Sequence, residues 1–106
     1  MSSDLDPRWN GVFIEESQFH FHRRLLERWG VVLGPGDYSG MRRAIRKKQA
    51  SYVRTTLRGG RVYAVRVPST GVPVMVVVAN GWRFCTAYPQ QKRYMRRHPN
   101  MFPEVD

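Results

Sequence analysis

The run from Arg61 to Pro89, RVYAVRVPSTGVPVMVVVANGWRFCTAYP, constrains the chain most, because it reads as two β-hairpins sharing a middle strand. Val72, Val74, Val76 and Val78 interleave with Pro73, Met75, Val77 and Ala79, so the middle strand is apolar on both sides. A strand needs that pattern when both of its faces are covered. Asn80-Gly81 is a strong hairpin signal, since a type I′ turn needs positive φ at both central residues. Ser69-Thr70-Gly71 marks the other reversal.

Turn lengths predict registers. A two-residue turn at Asn80-Gly81 pairs Ala79 with Trp82, Val77 with Phe84 and Met75 with Thr86. An even-length turn around Thr70-Gly71 pairs Val67 with Val74 and Arg66 with Met75. Side chains alternate along a strand, which sorts them onto two faces. One face carries Tyr63, Val65, Val67, Val74, Val76, Val78, Cys85 and Ala87, and suits packing under helices. The other carries Ala64, Arg66, Met75, Val77, Trp82, Phe84, Thr86 and Tyr88, with Arg66, Met75 and Thr86 in one row. The expectation is that this second face is at least partly open and is the working surface, and that Cys85 is a core residue.

The rest of the chain supplies helices. Residues 1–16 lack periodicity and read as an arm, with Trp9 and Phe13 to tack it down. Ser17 can cap a helix that Gly30 ends in left-handed geometry. Phe21, Leu25 and Trp29 form its apolar line, while His20, Arg24 and Arg28 share another face at i, i+4 and i+8. After Gly34-Pro35-Gly36, Asp37 or Ser39 can cap a second helix from Tyr38 to Gln49. Its apolar residues are Met41, Ala44 and Ile45, and its outer face is Arg42, Arg43, Arg46, Lys47 and Lys48. SYVRTTL, residues 51–57, is a fourth strand. A three-residue loop after it puts Val53, Thr55 and Leu57 under the helices and Tyr52, Arg54 and Thr56 on the open face. The expected architecture is α+β: two N-terminal helices packed on a four-stranded antiparallel β-meander, followed by a basic C-terminal tail. All 106 residues form one domain, with an arm over 1–16, a helix–helix–sheet body over 17–89 and a tail over 90–106.

Charge narrows the function classes. The chain holds 18 Lys/Arg and 8 Asp/Glu, a formal net charge of +10. The imbalance is local, since no acidic residue occurs between Asp37 and Glu104. A field of that sign attracts polyanions, and nucleic acid is the expected partner. No apolar run approaches the ~20 residues of a membrane span, and the polar, acidic start has no signal-peptide character. One cysteine excludes an internal disulfide and any cysteine-rich zinc site. A cytoplasmic protein with no membrane partner is expected.

Motifs for metals and nucleotides are absent from the sequence, so neither a metal nor a cofactor is expected. Histidine, arginines and hydroxyls in a cationic field suit metal-free cleavage of an RNA phosphodiester. Histidine moves protons near neutral pH, and arginine presents forked, permanently charged donors to phosphate. His20 is the candidate acid/base, Arg66 a clamp on the reacting phosphate, and Thr86 a donor to it. Arg24 and Arg28 share the face of His20 as further phosphate clamps. Arg54, Lys47 and Lys48 are candidate RNA contacts, and Trp82, Phe84 or Tyr88 can stack an unpaired base. His22, beside the apolar line, reads as structural.

The order helix, helix, four-stranded meander resembles the barnase–EndoU–colicin–RelE ribonuclease superfamily, especially its phage-encoded and polymorphic-toxin branches. The matching pieces are HFHRRLLERWG, the VYAVRV strand and FCTAYP, within residues 17–89. The His20, Arg24, Arg28 spacing is similar to the helix motif of such domains, and Thr86-Ala87-Tyr88-Pro89 to their last-strand motif. The resemblance implies a metal-independent endoribonuclease that acts on tRNA or ribosome-bound mRNA and leaves a cyclic phosphate. An antitoxin or a host protein is a further candidate partner. The chain departs from the pattern in having no carboxylate on the sheet. The alternatives are a binding module that holds nucleic acid without cutting it, and a small phage protein that inhibits a host protein.

Overall fold

The computed structural model describes residues 16–79 and 83–103. In chain order the elements are α1 (Glu16–Trp29), α2 (Asp37–Arg46), β1 (Ser51–Thr55), β2 (Arg61–Arg66), β3 (Pro73–Val78), β4 (Phe84–Ala87) and α3 (Lys92–Arg97). The strands lie in the order β1-β2-β3-β4, all antiparallel neighbours. This is the expected α+β meander under two N-terminal helices, with a third helix added at the C-terminal end. The N-terminal arm, with Trp9 and Phe13, and the Asn80-Gly81-Trp82 turn lie outside the described residues.

Apolar spacing explains α1, where Phe21 and Leu25 are fully buried and Trp29 half-buried on one line. Ser17 lies inside the helix, which already includes Glu16. Gly30 ends it as expected, at φ 64 with its N–H on the Leu26 carbonyl. In α2, Met41 and Ile45 face the core. Its N-cap position is Gly36 at φ 88, and Asp37 serves elsewhere. Buried Asp37 accepts the Gly34 N–H through Oδ2, the Ser69 N–H through Oδ1 and the Ser69 hydroxyl through Oδ2, at 2.7–3.0 Å. One carboxylate thus ties the start of α2 to the β2–β3 turn. Gly40 lets that turn approach, because a Cβ there would stand 2.8 Å from Pro68 Cγ.

Registers differ from expectation in two distinct ways. Between β2 and β3, Val65 pairs with Val74 and Arg66 with Pro73, a shift of two residues from the expected pairing. The turn is tighter than expected, closed by Val67 N–H to Val72 O at 2.8 Å. A two-residue shift leaves every side chain on its expected face. Between β3 and β4 the parity changes. Val76 pairs with Ala87 and Val77 with Thr86, but Val78 pairs with Phe84, so Cys85 is the extra residue of a bulge. Phe84 therefore joins the helix-covered face, 5.0 Å from the Phe21 ring and 4.8 Å from Tyr38. Cys85 turns outward and is exposed, which overturns its expected core role. Burying an aromatic ring outweighs keeping the ladder regular.

A second bulge, at Val53, lies between the Tyr52↔Tyr63 and Arg54↔Val62 pairs. It puts Tyr52 on the helix-covered side of the sheet and Val53 against the opposite face. Leu57, expected under the helices, is fully exposed in the β1–β2 turn.

Both faces of the sheet carry a core. Under α1 and α2 lie Val65, Val67, Val74, Val76, Val78, Phe84 and Ala87. On the other face Val62, Ala64, Met75 and Val77 pack with Met95 of α3 and with Phe102. The expectation of an open second face is therefore overturned. Four central apolar side chains cost too much to leave in water, at roughly 25 cal/mol per Å². Residues 92–102 supply the cover despite their basic composition.

Candidate nucleic-acid interface

Strand register and the placement of α1 separate the residues expected to form a catalytic centre. Arg66 opposes Pro73 and Thr86 opposes Val77. Those partners are four positions apart on β3, about 13 Å along a strand. The expected row of Arg66, Met75 and Thr86 is therefore broken. The Arg66 guanidinium is bound to two backbone carbonyls, Gly71 at 3.1 Å and Asn100 at 3.0 Å. Thr86 shares the Val77 face, and its Oγ1 is buried with no hydrogen-bond partner among the described residues. His20 is exposed on α1, whose buried face packs on the opposite side of the sheet.

The arginines beside His20 have local partners. Arg24 pairs with Glu27 at 3.0 Å on the surface. Arg28 Nη1 donates to the Ala87 carbonyl at 2.6 Å, and Trp29 Nε1 donates to the Tyr88 carbonyl at 2.7 Å. These two bonds fasten the end of α1 to the end of β4, an edge strand that otherwise offers open carbonyls. Tyr88 is half-buried in the second core. Trp82 lies outside the described residues. His22 is buried at 2 % exposure, and burial pushes its pKa down, against a smaller upward pull from the Asp37 carboxylate. No group of His, Cys, Asp and Glu among the described residues can hold a metal ion.

Lys47 and Lys48 lie on a different surface at the end of α2, whereas Arg54 pairs with Val62 and so points to the face of the sheet opposite α2. Ser39, Arg42, Arg43, Arg46 and Lys47 line an open concavity of about 490 Å³ on the outside of α2. Arg42 lies over the Tyr38 ring, 6.0 Å from its centroid, while Arg43, Arg46 and Lys47 reach solvent. Exposed Lys48 follows, then exposed Tyr52 on β1. Tyr52 stands edge-on to Tyr63, with ring centroids 5.8 Å apart, and its hydroxyl bonds Thr55 Oγ1. Three residues lie between Lys48 and Tyr52, so over four Cα steps at most about 14 Å divides their Cα atoms. The surface thus combines a cationic band with an aromatic ring in solvent. Cations neutralise phosphates and aromatic faces stack bases whatever their sequence.

The helix geometry that presents Lys48 is well defined. Gln49 N–H bonds the Ala44 carbonyl at 2.8 Å, and Lys48 N–H bonds Ile45 at 3.1 Å. With Lys47 as C-cap this is a Schellman motif, and Lys48 holds its left-handed position at φ 59, normally a glycine site. The basic face of α2 was legible in the sequence. Tyr52 was assigned to the wrong face, because nothing local signals a bulge at Val53.

No family model, curated protein or solved structure matches the chain. The likeness to the ribonuclease superfamily therefore stands on its short motifs alone.

Proposed function

We propose that the protein is a nucleic-acid-binding module that holds a phosphate backbone along α2 and the β1 edge without cleaving it. The supporting observation is the group of exposed cations Arg43, Arg46, Lys47 and Lys48, followed by the exposed Tyr52, in a chain with no carboxylate between Asp37 and Glu104. Asp37, the nearest acid in sequence, is buried and occupied by three donors. Cleavage is the weaker reading, because His20, Arg66 and Thr86 do not converge on one phosphate.

Fluorescence anisotropy with a labelled single-stranded RNA, across a salt series, tests the proposal. Each phosphate contact contributes about 0.7 to the slope of log affinity against log salt for a single strand. Replacing Arg43, Arg46 and Lys47 together by Gln is expected to lower that slope by about 2. A salt-independent affinity, or a slope untouched by the triple substitution, would refute it. The same RNA incubated in EDTA is expected to stay intact. Cleavage lost in His20→Ala would restore the ribonuclease reading.

A further inference from the structure

A second site lies on the other side of the sheet, away from α2. Where the end of α1, the β2–β3 turn and the C-terminal cover meet, a groove of about 490 Å³ opens to solvent. That volume is in the range of small-molecule sites. Its apolar walls include Trp29, Met95 and Phe102, and Val72 lies at its exposed margin. Its cations are Arg66 and Lys92, both exposed, and no carboxylate lines it among the described residues.

The walls are held in place by specific contacts. The half-buried Trp29 ring packs against both cores, is pinned by its Nε1 bond to the Tyr88 carbonyl, and lines the groove with its remaining exposed surface. Phe102, buried at 4 % exposure, lies 6.2 Å away at an interplanar angle of 31° and backs the indole from the core. Arg66 donates one bond from each Nη, to Gly71 and to Asn100. A guanidinium has five N–H donors, so donors remain for a ligand. Both partners are neutral carbonyls, so the positive charge is not cancelled. A cation fixed in orientation but not neutralised is a preorganised anion receptor.

An indole wall beside two cations suits a flat ring that carries an anionic group. We propose that this groove binds one nucleotide unit, with its base against Trp29 and its phosphate on Arg66 and Lys92. The unit can come from a free mononucleotide or from the 5′-phosphorylated end of a strand. This site is separate from the α2 surface and does not depend on it.

The test is methyl NMR of the full chain with labelled methionines, following Met95 during titration with adenosine monophosphate. Saturable shifts at millimolar concentration are expected, with much weaker shifts from adenosine. Lys92→Ala should weaken the monophosphate about fivefold, the size of one exposed ion pair. Val72→Trp, which fills the groove from its exposed margin, should abolish the shifts. Gln at Arg43, Arg46 and Lys47 should leave them unchanged. A 5′-phosphorylated oligonucleotide that shifts Met95 at lower concentration than the mononucleotide identifies the strand end as the source. The reverse order identifies the free nucleotide. Absent shifts, equal shifts from adenosine, or shifts that survive Val72→Trp would overturn the assignment. Strand binding by α2 would stand or fall separately, on its salt slope.

Discussion

Replacing Lys48 by Gly separates what this position does for the fold from what it does for a ligand. A side chain in left-handed geometry costs about 1–2 kcal/mol relative to a right-handed conformation. Glycine avoids that cost but adds about 0.5–1 kcal/mol of backbone entropy to the unfolded chain. Lys48 sits at φ 59 within a complete pair of Schellman hydrogen bonds, which glycine retains. The net expectation is a stabilisation of about 0.5–1 kcal/mol, or roughly 2–5 °C in melting temperature for a chain of this size. Lys48→Ala keeps the strained geometry and loses only the cation, so its melting temperature should change little. Both variants should lose about 0.7 from the salt slope of single-stranded RNA binding. Thermal unfolding followed by circular dichroism gives the first quantity and anisotropy the second. A Lys48→Gly protein that melts at or below the parent temperature would refute the strain argument. Unchanged slopes in both variants would show that Lys48 touches no phosphate.

Thr86→Val should stabilise the protein by about 1 kcal/mol in urea unfolding, because a buried hydroxyl without a partner is replaced by a methyl group. A loss of stability would mean that the hydroxyl is satisfied in solution. Cys85, exposed on the β4 bulge, should react fully with a thiol reagent in the native protein. Protection until unfolding would return it to the core. His22 has a pKa below its ordinary 6.5, so the unfolded chain takes up the proton first. Its contribution to stability is whole above pH 6.5 and is lost as pH falls from there toward the folded value. The slope should reach at most about 1.4 kcal/mol per pH unit. His22→Leu should flatten the stability profile between pH 6.5 and 5, and an unaltered profile would count against burial of this imidazole.

The order of elements, the end of α1 at Gly30, the basic face of α2 and the alternation along β2 and β3 were all legible in the sequence. They depend on local chemistry: apolar spacing, a glycine where φ is positive, and the fixed period of a strand. The two-residue β2–β3 register error left each side chain on its face but broke the expected row of Arg66, Met75 and Thr86. The bulges at Val53 and Cys85 were not legible. Each trades regular pairing for burial against a distant partner, such as Phe84 against Phe21 and Tyr38. The cover on the second face was equally hidden. Met95 and Phe102 lie among Lys, Arg and Pro, with no periodicity to mark them as core. The sequence by itself determined which segments become α1, α2 and the four strands, because that choice is settled within a few residues. Tertiary structure alone decided which face each edge-strand side chain occupies and which surface is left for a ligand, because both follow from competition among distant segments for the same apolar area.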